Sequence, residues 1–96
     1  MPQGKFSYKL PVVITKQGHQ FVAYSPALDI STVGNSKRNV QKRFEELVSL
    51  FLEELAQAGT MYDVLTELGW KQVKKVWNPP QVVSTNTIAV KMPAYA

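Results

Sequence analysis

The sequence predicts an α+β fold: an antiparallel sheet of three to four strands, one long helix packed on one face, and a short second helix. The expected order is β-β-β-α-α-β. Two observations carry this reading. Apolar residues alternate from Phe6 to Ile14, and a capped amphipathic run extends from Ser36 to Gly59. A third is the punctuation between them, where Gly18, Pro26, Gly34, Gly69 and Asn78-Pro79-Pro80 separate the apolar stretches.

In the first stretch Phe6, Tyr8, Leu10, Val12 and Ile14 fall on one face of a strand. Pro11 has no N–H to give a ladder, so the strand belongs at a sheet edge or turns that position outward. Lys16-Gln17-Gly18 is turn chemistry, and Gln20 to Ser25 (with Phe21, Val22 and Tyr24) is a second strand that closes a hairpin. Ile30 to Val33 supplies a short third strand ending at Gly34.

Ser36 is a good N-cap and Gly59 a good residue to end the helix. At about 100° per residue, Val40, Phe44, Leu47, Val48, Phe51, Leu55 and Ala58 share one face. Arg38, Lys42, Glu45, Ser49 and Glu53 lie opposite, and Leu50 sits outside the apolar stripe. Thr60 followed by Asp63 resembles a capping box for a second helix that stops at Gly69. Lys71 to Trp77 reads as strand or irregular chain. Gln81 to Met92 is β-prone, and residues 81–92 are expected as a C-terminal strand that pairs in cis or across an oligomer.

The 96 residues suit a single domain spanning 1–96, since domains usually run to about 100–150 residues. A hydrophobic share of 45% with 19% charged residues supports an ordered core rather than general disorder. The absence of cysteine excludes disulfides, thiolate metal sites and cysteine nucleophiles. Met1 to Lys9 has no apolar segment of signal-peptide type, and no apolar run approaches the length of a membrane span. A cytoplasmic protein is the expectation.

Leu10 to Gly34, LPVVITKQGHQFVAYSPALDISTVG, resembles the opening of HicB-like antitoxin domains. There a PVVI-type strand leads through a Gly-containing turn into a Tyr-x-Pro-x-Leu segment, here Tyr24, Pro26 and Leu28 followed by Asp29. The helix after a Ser or Thr cap, ending LFLEEL, extends the resemblance over roughly the first sixty residues. The resemblance implies a partial RNase H-like or double-stranded-RNA-binding-domain-like unit. It further implies a dimer or tetramer that neutralises a small HicA-type mRNA-cleaving toxin by covering its active surface. Many members add a C-terminal DNA-binding segment, and no clear counterpart follows Gly69 here.

Catalytic groups are sparse. His19 is the lone histidine and stands in a turn, with no serine placed to make a triad. Glu45-Glu46 and Glu53-Glu54 are consecutive helical residues about 100° apart, so neither pair forms a shared site. Asp29 is alone in the sheet region, whereas metal-dependent nuclease chemistry needs several converging acids. The chain is therefore expected not to be an enzyme, with no catalytic residues, no bound metal and no cofactor.

The net charge of +4 is unevenly placed. Lys37, Arg38, Lys42 and Arg43 occupy the first two turns of the long helix, with the glutamates after them. This opposes the helix dipole, at about 0.3–1 kcal/mol for a well-placed charge. The cations are either a solvated face paired weakly to Glu46 or a site for a partner or an anion. A second cluster, Lys71, Lys74 and Lys75, is interleaved with Trp70 and Trp77. These tryptophans either cover the core or stack on bases. The leading expectation is a small toxin-like partner together with homo-oligomerisation. The alternative is a stand-alone HicB-like or nucleic-acid-binding module.

Overall fold

The computed structural model describes residues 9–94. Its elements are β1 (Val13–Gln17), β2 (Gln20–Ser25), β3 (Ile30–Gly34), α1 (Lys37–Ala58), α2 (Met61–Glu67), β4 (Lys71–Val73) and β5 (Val76–Asn78). The α+β class and element order are those predicted, with the final β region a short hairpin of its own. No helix among the described residues is long and apolar enough to cross a membrane.

The larger sheet has the antiparallel order β1-β2-β3. Pairing of Gln17 with Gln20 leaves Gly18-His19 as a two-residue turn, with Gly18 at φ 63°. The first strand starts later than its alternation suggests. Pro11 cannot donate to a ladder, and pairing begins only at Val13. Phe6 and Tyr8 lie outside the described residues.

Helix α1 forms between the two expected caps. Ser36 is extended at φ −154° and its Oγ accepts the Asn39 N–H at 3.0 Å, while Gly59 adopts φ 71°. Val40 and Phe44 are buried against Ala23 of β2, and the small alanine lets the helix approach closely. The helix rests chiefly on β3 and β2. Gly34 makes this seat possible: a Cβ there would lie 2.7 Å from the Val40 backbone and 2.6 Å from Asn39 Oδ1.

With 22 residues α1 is about 33 Å long, whereas strands of five or six residues reach about 17–20 Å. Its C-terminal half therefore overhangs the sheet and needs other cover. Ala27, Leu28, Leu65 and Trp70 form that second core, with Phe51, Leu52 and Leu55 of α1 against it. The Trp70 indole N–H donates to the Ala27 carbonyl at 2.8 Å, and its backbone N–H to Leu65 O at 2.9 Å. Ala58, predicted on the buried stripe, is exposed at the end of the overhang.

One further expectation is revised, and the cis half of another is not met. Thr60 makes no side-chain cap bond, because its backbone (φ −109°, ψ 6°) is not extended as a capping residue requires. Residues 81–92, expected as a strand in cis or in trans, join neither sheet of their own chain. After Pro79-Pro80 the segment is exposed throughout, with Val83 93%, Ile88 78%, Val90 78% and Met92 75% accessible. The radius of gyration is 16.5 Å, against about 12–13 Å for a compact chain of this length.

Gly34→Ala is expected to lower stability by about 1–3 kcal/mol, because the new methyl meets the Val40 backbone as well as the Asn39 side chain, and the backbone cannot swing aside. Trp70→Phe should cost about 1–3 kcal/mol by leaving the Ala27 carbonyl without its donor. Urea denaturation checks both: the midpoint falls while the slope is unchanged. A midpoint equal to that of the native chain would contradict the corresponding contact.

Candidate interaction surface

Because α1 sits chiefly over β3 and β2, the inner face of β1 is only partly covered: Leu10 and Ile14 are half-buried against the cores and Val12 is exposed. Leu10, Val12 and Ile14, continuing the period-two pattern, line an open groove with Phe44 and Val48 of α1. Gln41 and Glu45 form its polar margin, and its volume is about 590 Å³. A second stretch of about 510 Å³ shares Val12, Ile14 and Gln41 and adds Phe21, Lys16 and Lys37. β1 is also an edge strand, with β2 its only partner among the described residues. An apolar groove beside an unpaired edge is the arrangement that accepts an added strand.

The predicted cations at the start of α1 do not share one face. Lys37 borders the groove on the β1 side, where Lys16 joins it, its ammonium 5.9 Å from the Phe21 ring. Arg43 lies on the opposite flank, beside Gln20, Val33, Asn35 and Asn39. Arg38 and Lys42, one turn apart, are exposed. The four surround the helix start as a collar. None forms an ion pair among the described residues, so the expected pairing of Lys42 and Arg43 with Glu46 is not made.

Lys71, Lys74 and Lys75 belong to the β4–β5 hairpin, beyond the other end of α1. Val73 pairs with Val76, so Lys74-Lys75 is a two-residue turn, with φ 52° and 65°. Such turns ordinarily take Asn or Gly, and two lysines there oppose local preference. The tryptophans divide. Trp70 is 3% accessible and belongs to the core, while Trp77 is half-buried and meets Tyr62 at 5.8 Å between ring centroids. Stacking of Trp70 on a base is therefore closed off.

The residues that carry the family resemblance build a loop. Leu28 is buried in the second core, and Pro26 is exposed. Asp29 sits at φ 55°, its N–H donates to Ser25 O at 2.8 Å, and its carboxylate accepts the Tyr24 hydroxyl at 2.9 Å. Ser25 is fully buried, and its hydroxyl has no partner among the described residues. The motif thus shapes the β2–β3 turn so that Ala27 and Leu28 reach Trp70. Asp29 has no second acid to work with: among the described residues no three His, Asp or Glu side chains are grouped to hold a metal ion. His19 is exposed in its turn.

The groove was not evident from the sequence, because it depends on which strands the helix covers. The signal that pointed to it was Pro11, which marked β1 as an edge.

The hydrogen bond to Asp29 raises the pKa of Tyr24 above the ordinary 10.0, with burial and the Asp29 charge acting in the same direction. The folded chain holds this proton more tightly than the unfolded chain does. Stability from the contact is therefore complete below pH 10.0 and is lost as pH rises through the higher folded value. Tyr24→Phe should remove that alkaline loss, seen as a shallower fall in urea midpoint above about pH 10. Equal slopes for the two proteins would contradict it.

No family model matches the chain, nor does any curated protein or solved structure.

Proposed function

We propose that the chain is a HicB-like antitoxin-type binding protein, which neutralises a small HicA-type mRNA-cleaving toxin by forming a complex with it. In this reading it acts in the cytoplasm, assembles as a dimer or tetramer, and performs no catalysis. The observation that carries the proposal is the collar of Lys37, Arg38, Lys42 and Arg43, which calls for an acidic patch on the partner. Four exposed cations, free of ion pairs among the described residues, oppose the dipole of the helix that bears them. Residues that work against local stability are candidates for function. Charges of this kind at the rim of an interface steer association and select the partner. The Tyr24-Pro26-Leu28-Asp29 resemblance supports the antitoxin type.

A second reading, nucleic-acid binding, is favoured by the hairpin turn that holds Lys74 and Lys75 at positive φ beside Lys71. Cations at a projecting tip suit contact with phosphates.

Co-expression with the product of an adjacent small reading frame, followed by purification of the complex, tests the first reading. Reversal of the collar (Lys37→Glu, Arg38→Glu, Lys42→Glu, Arg43→Glu) should weaken the complex about tenfold or more, corresponding to roughly 1.4 kcal/mol. An unchanged affinity, or no complex at all, would overturn the proposal. Salt-sensitive RNA or DNA binding that falls on neutralising Lys71, Lys74 and Lys75 would establish the second reading instead.

A further inference from the structure

We propose that the C-terminal segment of a second copy of this chain occupies the β1–α1 groove. Asn86 to Met92 of one molecule pairs as a strand with the open edge of β1 in the other, and the exchange is reciprocal.

The segment is suited to the groove. From Asn86 onward its residues alternate, with Ile88, Val90 and Met92 on one face and Thr87, Ala89 and Lys91 on the other. The first three are 75–78% accessible in the single chain. Leu10, Val12 and Ile14 present the same two-residue spacing on the β1 side of the groove, facing Phe44 and Val48. Paired in phase, the incoming strand sets its three large apolar side chains against that surface and leaves Lys91 in water. A slip of one residue would instead place Lys91 against Val12 and Ile14, so one phase is specified. Backbone hydrogen bonds from the free edge hold the strand, and the alternate side chains select it.

Exchange between molecules is consistent with how the segment leaves its own body. Pro80 lies beside Pro11, Ala27 and Leu68, at the foot of the second core, and Pro79 beside Lys9 and Pro11. Consecutive prolines fix φ and restrict the residue before each of them, which makes this a stiff exit. Beyond it the chain runs exposed and unpaired through Ala94. Each molecule therefore presents both an apolar strand without a sheet and an apolar sheet edge without a strand. Two molecules related by a two-fold axis satisfy both at once.

The test needs only the full-length chain, so its outcome is independent of any toxin. Mass measurement in solution at micromolar concentration should give twice the chain mass for the native protein. Ile88→Asp with Val90→Asp should give the mass of one chain, with unchanged circular dichroism, because neither residue belongs to the folded cores. A second measurement uses the absence of cysteine. Val13→Cys and Ala89→Cys, made in separate chains and mixed under oxidising conditions, should yield a covalent dimer containing one of each. A native chain of monomeric mass would overturn the proposal, as would a dimer that survives the double substitution. Failure of the mixed cross-link, with the dimer otherwise intact, would overturn the β1 pairing.

Discussion

The close passage of β3 beneath the first turn of α1 is the constraint from which the rest of the structure follows. Gly34 has no side chain to hold the Val40 backbone away, so the helix settles directly on β3 and β2. Ala23 deepens the seat and Val40 disappears from solvent. One helix cannot cover three strands at that distance. The strand left over is β1, and the groove beside it is the consequence. The same seating brings the start of α1, with its four cations, to the rim of that groove on one side and to the β3 edge on the other.

The length of α1 creates a second problem, which the chain solves with a second core. The overhanging half of the helix would expose Phe51, Leu52 and Leu55 without Trp70, Leu65 and the Ala27-Leu28 loop. Trp70 is the link, since it buries its ring and also satisfies the Ala27 carbonyl. The Tyr24–Asp29 hydrogen bond shapes the loop that delivers Ala27 and Leu28 to it. The residues that resemble a family motif thus have a structural purpose here. A motif of this kind speaks to how the domain is built and only indirectly to what it binds.

Local signals were legible in the sequence because their causes are local. The Ser36 cap, the Gly59 stop and the turn at Gly18 each depend on residues within a few positions, although Lys16 and Gln17, read with that turn, belong to β1. Pro11 announced an edge strand. Two segments depart from their local signals within the single chain. Thr60 carries a capping side chain, but the tight junction with Gly59 leaves its backbone outside the capping region. Gln81 to Met92 has the composition of a strand but pairs with no edge of its own chain, and strand formation needs both composition and pairing. The groove and the collar arrangement could not be read in advance. Each depends on where α1 lies across the sheet, which is a contact between residues far apart in sequence.

β1 is an open edge among the described residues, and a strand from a second chain is proposed to complete it. Amide hydrogen exchange across Val13–Gln17, followed as protein concentration rises, tests this most directly. The account predicts that the outward-facing amides of β1 exchange rapidly in dilute solution and gain protection together with those of residues 86–92 as the chains associate. Protection of β1 at every concentration, or none at any, would contradict it.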